Sequence, residues 1–430
     1  KGLMQQLFPR EGETTPRLHF PEFRNAGPWE VKSIKELSDK VTQGGTPNTS
    51  INEYWDGDIP WITPAEMGND AEYHYIANTN RTISMLGLKN SSAELLPKNS
   101  VIISSRAPIG YVAINKLEMA TNQGCKGIIP KVDVYYDFLY FCLLNAQRHL
   151  NDLGAGAGFK ELSTSVLKKF QIPVPKLPEQ QKIADCLSSL DEVIELEAQK
   201  LEALKTHKKG LMQQLFPREG ETTPHLRFPE FRDARPWEVK RLSNTLHRIS
   251  NGLTIAQVSG SCGVKVTRIE TISTGRIDPN KVGYVNTDQD ITQYRLRIGD
   301  ILFSHINSLT HIGKSAYVDK DYNLYHGMNL LRLSVDAESN DSKFVFYLIN
   351  TSIFQSSVRA RANQAINQAS INQTELGQSC VLIPTKKEQQ KIADCLSSLD
   401  EVIELEAQKL DVLKTHKKGL MQQLFPQEVD

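Results

Sequence analysis

Two sets of polar side chains in this 430-residue chain suit one chemistry, hydrogen bonding to base edges and phosphates. The first set is Thr46, then Ser104, Ser105 and Arg106, then Asn122, Gln123 and Lys126, then Lys160. The second is His305, Asn307, Ser308 and Lys314, then His326 and Asn329, then Arg359, Arg361, Asn363, Gln364, Asn367 and Gln368. Arginine, lysine, asparagine and glutamine can pair in two-pronged fashion with guanine or adenine edges, and serine and lysine hold phosphates. The stretch RARANQAINQ (359–368) is the densest of these; a solvated surface loop is its plain alternative. Covalent chemistry finds less footing. Gly313-Lys314-Ser315 resembles the end of a P-loop, but Ser308 stands where the first glycine belongs. GAGAG (154–158) follows a helical pattern and not a strand, so it reads as a loop. No Pro-Pro dipeptide, His-Glu-x-x-His or Gly-x-Ser-x-Gly occurs. His207 and His416 are copies of one position near helix ends, where capping carbonyls is the ordinary role.

The elements that must position these residues are written twice. Residues 179–217 and 388–426 differ only at Glu202/Ala203 against Asp411/Val412, and Lys1–Lys32 recurs at Lys209–Lys240 with four changes. Between these frames lie 33–178 and 241–387, mostly unlike in sequence yet sharing one order of elements. Each has a β-branched run, a polar loop and a second apolar strand, then a helix (137–150 or 343–358). A polar loop follows (151–163 or 359–373), then a short strand (170–175 or 379–384). The repeated segments carry Ile183, Leu187, Leu190, Ile194, Leu201 and Leu204, with their copies Ile392, Leu396, Leu399, Ile403, Leu410 and Leu413. Steps of four and three make a coiled-coil seam. A helix over 179–216 would be about 57 Å long. Two matching seams predict an antiparallel pair. Glu197 and Lys208 fall in the seam and either set its register or are solvated at a splayed end. Val193 and Leu196 widen the apolar stripe, leaving surface for outside helices.

The fold class expected is therefore α+β: two similar mixed α/β domains joined by two long antiparallel coiled-coil helices, with pseudo-twofold symmetry. Lys+Arg 50 balances Asp+Glu 50, so a nucleic-acid partner would need a local basic surface or a partner subunit's charge. The six cysteines have no metal or disulfide spacing and read as reduced thiols of a cytoplasmic protein. No apolar run is long enough to span a membrane, and no signal peptide is visible. The chain opens on Lys1 with KGLMQQLFP, a copy of a helix end, which suggests a truncated or processed start.

The unlike modules, the repeated EQQKIADCL and LKTHKKGLMQQLFP segments and the TPRLHFPEFRNAGPWE-type linkers together resemble the specificity subunits of type I restriction–modification enzymes. Gly44-Gly45-Thr46-Pro47, then Trp55 and Asp58-Ile59-Pro60-Trp61-Ile62, are similar to the opening of that family's target-recognition domains; Gly252-Leu253-Thr254 departs from it. The boundaries expected are 1–28 helix remnant and linker, 29–178 first recognition domain and 179–217 first long helix. Next come 218–236 linker, 237–387 second domain, 388–426 second helix and 427–430 tail. The resemblance implies a non-catalytic subunit whose domains each read half of a bipartite asymmetric double-stranded DNA site. Its helices would set the spacer and dock two modification subunits. It also implies that no cofactor sits on this chain. S-adenosylmethionine would belong to the modification subunits, which methylate adenine N6, and ATP and Mg to restriction subunits that cleave DNA. The rival reading is a coiled-coil scaffold with two protein- or ligand-binding modules.

Overall fold

The computed structural model describes residues 16, 19–67, 75–106, 108–154, 161–258, 260, 262–309, 311–365 and 368–424. They fall into two compact units. One takes the chain up to Gln199 together with everything from Ala407 onward; the other is Lys200–Glu406. Each unit therefore contains one module and parts of both long helices.

In the first unit, β1 (Glu30–Ser33) pairs antiparallel with β6 (Gln171–Val174), tying the module's start to its end. The central sheet holds β2 (Ser38–Gln43), β3 (Val101–Ser104), β4 (Val112–Asn115) and β5 (Cys125–Pro130). Its order is β2-β5-β3-β4, with Tyr75–Ile76 at the edge. Alternation along the strands explains their β-branched runs. Val101 and Ile103 face a core containing Phe138, Phe141, Leu167 and Ile183, while Ile102 faces a second core with Ile62, Leu96 and Met119. A strand buried on both faces needs apolar residues at every position.

The second unit builds the same sheet from different residues. Here β7 (Glu238–Arg241) pairs with β12 (Cys380–Ile383). The sheet strands are β8 (Leu246–Asn251), β9 (Ile301–Phe303), β10 (Ser315–Tyr317) and β11 (Leu331–Val335), in the order β8-β11-β9-β10. Ile301 and Phe303 join one core with Phe344, and Leu302 joins another with Ala316 and Leu330. The single helix expected over 137–150 is two, α1 (Tyr136–Asn145) and α2 (Gln147–Leu153). Its counterpart is likewise split into α4 (Ser342–Ile349) and α5 (Ser352–Arg361). Asn350 ends the first of these and Thr351 caps the second, its hydroxyl accepting from Phe354 N at 3.4 Å.

The long helices are α3 (Leu177–Leu215) and α6 (Lys386–Leu424), about 58 Å each. Within the first unit the start of α3 and the end of α6 share one core: Ile183 and Leu187 lie with Met421 and Leu424. Within the second, Ile392 and Leu396 lie with Leu215 and Phe216. Each arrangement is antiparallel, and charges mark it. Asp191 pairs with Lys417 and Glu197 with Lys409 in the first unit. In the second, Lys208 reaches Asp400 at 2.5 Å and Lys200 reaches Glu406 at 2.6 Å. The repeat carries each pair of the first unit onto a pair of the second. Glu197 and Lys208 are thus each ion-paired across their helix pair and not free at a splayed end. Of the seam, Ile183, Leu187, Ile194, Leu201, Ile392, Leu396 and Ile403 are buried. Leu190, Leu204, Leu399, Leu410 and Leu413 are half-buried.

Candidate nucleic-acid interface

In the first module a close backbone approach sets the site. A Cβ on Gly44 would sit 1.8 Å from Asn122 O, and one on Gly45 2.2 Å from Ala93 N, so only glycine fits at either place. This approach brings the 44–48 turn against 121–124. The Thr46 hydroxyl donates to Gln123 Oε1, and Asn122 Oδ1 accepts from Gly124 N at 2.9 Å. The loop after β3 joins them, Ser105 N donating to Gly124 O at 2.7 Å. Arg106 is exposed and its Nε lies 3.3 Å from Glu161 Oε2. Thr46, Arg106, Asn122 and Gln123 therefore form one neighbourhood at the surface.

Three residues expected there turn inward. Ser104 is buried, donating to Pro108 O and accepting from Tyr111 N; it shapes the loop and cannot meet a base. Ser105 is fully buried. Lys126 is 1% exposed, 3.5 Å from Glu161, and burial lowers its pKa. Glu161 thus holds both Arg106 and Lys126. Lys160 lies outside the described residues.

The second module repeats the placement with other side chains. Gly252 approaches Gly327 O as Gly44 approaches Asn122 O; a Cβ on Gly252 would fall 1.9 Å from that oxygen. Ile371 N donates to His305 O at 2.9 Å, as Leu162 N does to Ser105 O at 2.8 Å. The segment expected as a free polar loop over 359–373 is the end of α5 followed by a hairpin. Asn363–Ala365 pairs with Gln368–Ser370, which pairs in turn with Ile306–Asn307. Asn363 and Gln364 are exposed on that hairpin. Arg359 is half-buried on α5 and Arg361 exposed at its end, with Nη1 3.4 Å from Ser379 Oγ. Among the described residues neither arginine has a carboxylate partner. Asn307 Nδ2 donates to Ser304 Oγ and its Oδ1 accepts from Ser308 N, so both residues brace the loop. Gln368 lies on the hairpin's second strand, and Asn367 is outside the described residues.

Three second-module residues also need correction. His326 is fully buried, its Nε2 3.0 Å from Leu330 O. Burial pushes its pKa down to about 4, and Arg332 and His305 push the same way. Burial likewise lowers His305 to about 4, and its Nδ1 is enclosed without a partner. Both are neutral packing residues near neutral pH. Lys314 Nζ donates to Ser273 O at 3.1 Å, which leaves it bracing a neighbouring turn.

One residue escaped the sequence reading. The Arg81 guanidinium lies 3.6 Å from the centre of the Trp55 ring, and Trp61 holds the neighbouring turn by donating to Gly45 O at 2.9 Å. The tryptophans were visible in sequence; which arginine would cover them was not. Among the described residues no group of three or more His, Cys, Asp or Glu could hold a metal, and no helix is long and apolar enough to cross a membrane.

Comparison with known proteins follows the two modules. The type I restriction modification DNA specificity domain matches twice, over residues 27–206 and 235–415. The MjaIX specificity subunit of Methanocaldococcus jannaschii, a type I restriction enzyme subunit, is 32% identical, covering 69% of this chain and 75% of that one. The MjaVIII specificity subunit of the same organism is 24% identical over 92% of both chains. A solved type I restriction–modification S subunit from M. genitalium has the same fold, with a TM-score of 0.58 at 16% identity, covering 96% of this chain and 99% of that one.

Proposed function

The chain belongs to the type I restriction–modification DNA specificity family, and from that premise we propose that it selects a split, asymmetric DNA site. Each module reads one half, α3 and α6 set the spacer, and the same helices dock two modification subunits. The observation that carries this reading is the pair of modules with one sheet order and unlike loops, set in nearly identical frames. Identical frames suit two identical partners; unlike loops suit two different half-sites. The recognition domains are taken as 29–178 and 237–387. In the first, Thr46, Arg106, Asn122 and Gln123 face DNA; in the second, Arg359, Arg361, Asn363 and Gln364 do.

The chain performs selection and not chemistry. S-adenosylmethionine belongs to the modification subunits, and ATP with Mg to restriction subunits, in a cytoplasmic complex. Partner helices have apolar surface to meet, since Leu196 and Leu405 are 64% and 65% exposed. Neutral net charge leaves much of the phosphate grip to those partners. Binding of the subunit–modification complex to duplex DNA tests the reading: affinity for one split sequence should exceed that for scrambled DNA and fall as salt rises. Salt-independent or sequence-blind binding favours a scaffold. Adding two helical turns to both α3 and α6 should lengthen the spacer and leave both half-sites intact. Unchanged spacing contradicts the ruler.

A further inference from the structure

We infer that Arg81 reads a guanine in the half-site assigned to the first module, an inference that rests on the functional reading above. Its guanidinium lies 3.6 Å from the Trp55 ring centre and 5.6 Å from that of Trp61. The two indoles meet edge-on, 5.1 Å apart at 88°, and both are buried. Arg81 itself is exposed. Its backbone is held on both sides: its carbonyl accepts from Trp61 N at 3.1 Å and from Thr79 Oγ1 at 2.7 Å. Among the described residues no carboxylate meets its side chain. Arg106, by contrast, faces Glu161.

Place matters as much as geometry. Trp61 donates to Gly45 O and Trp55 Nε1 to Asn48 O at 3.2 Å, so the platform props the turn that carries Thr46. Trp61 also pairs with Ala120, and Asn122 N donates to Ile62 O at 3.0 Å, which puts 120–123 on the same side. Arg81 thus joins the Thr46–Gln123 neighbourhood as its one cation without a carboxylate among the described residues. A guanidinium lying on an indole keeps its donor fork in one plane and loses little freedom on binding. That fork matches O6 and N7 of guanine in the major groove.

A phosphate clamp would be useful to both modules, yet Trp55 and Trp61 occur only in the first. The chain's other tryptophans, Trp29 and Trp237, are copies of one frame position. Within this chain the platform therefore belongs to one module and not to the repeated frame. Shielding the indoles from water is the competing role, and it predicts a stability change without a change of sequence preference.

The test uses the complex with its modification subunits. Arg81→Lys keeps the charge and loses the fork. It should relax one guanine position of one half-site, with the other half-site and the spacer retained, and bind the original duplex roughly 5- to 150-fold more weakly. Replacing that guanine by 7-deazaguanine should weaken the unsubstituted complex and leave R81K indifferent. An unchanged motif in R81K overturns the inference. So does uniform weakening on all sequences with a salt slope reduced by about one, the signature of a phosphate contact. If R81K fails to assemble, the unsubstituted complex decides: no half-site position sensitive to 7-deazaguanine overturns the assignment. If the unsubstituted complex selects no split site at all, the functional reading falls and takes Arg81 with it. If the split site stands and only R81K is silent, Arg81 fails alone.

Discussion

The two modules anchor to their long helices at equivalent places with different strength. In the second, Arg227 grips Glu388 through two 2.8 Å contacts, and Trp237 Nε1 adds a third at 3.2 Å. In the first, His19 Nδ1 meets Glu179 at 3.3 Å, and burial raises the Glu179 pKa. One frame thus tolerates a strong and a weak anchor. What the frame must preserve is the position of the sheet and not the chemistry of each contact. The loops differ in the same way: module one holds Arg106 and Lys126 on Glu161, while Arg359 and Arg361 have no such carboxylate among the described residues.

The largest effect should come from breaking the stronger anchor. Arg227 and Glu388 are only 7% and 1% exposed at the side chain, so Arg227→Ala leaves a buried charge without its partner. It should cost about 3–5 kcal/mol. His19→Ala should cost about 1 kcal/mol, since a single 3.3 Å imidazole contact stands where Arg227 makes a two-pronged one. Denaturant unfolding of the two variants measures the difference, and equal losses would erase the contrast between anchors.

A smaller asymmetry should appear with pH. His305 and His326, both lowered to about 4 by burial, lie in the second module. Their unfolded value is near 6.5, so the stability they contribute is present above that pH and lost as pH falls toward 4. The loss should be on the order of 2–3 kcal/mol for the fully buried His326 by pH 4.5, and smaller for the half-buried His305. Thermal melts should show it, and His326→Gln should flatten the profile; an unaltered slope would contradict burial as its cause. The smallest effect concerns charge. Arg359→Ala should weaken DNA binding several-fold and lower the salt slope by about one, whereas Arg106→Ala, already facing Glu161, should change the slope less. Binding titrations over a salt series compare them.

The architecture was largely legible because its signals are periodic. The seam of Ile183, Leu187 and Ile194 needs no tertiary information, and the helix bounds moved by only two residues at each end. The paired modules were legible as an order of elements. The site was less so. Ser104, Ser105 and Arg106 are consecutive, yet only Arg106 is exposed, because the chain turns inward as it leaves a strand buried on both faces. Lys126 sits within such a strand, and a lone cation there finds its partner, Glu161, only through the fold. The helix break before α5 rests on a Thr351 cap that the apolar pattern spans without interruption. Arg81 was missed because its meaning lies in the ring beneath it.

The most direct measurement is methylome sequencing of a host whose complex carries residues 241–387 exchanged for another family member's second module. One half of the modified sequence should change, with the other half and the spacer retained. A change in both halves, or in neither, would contradict the assignment of one module to each half-site.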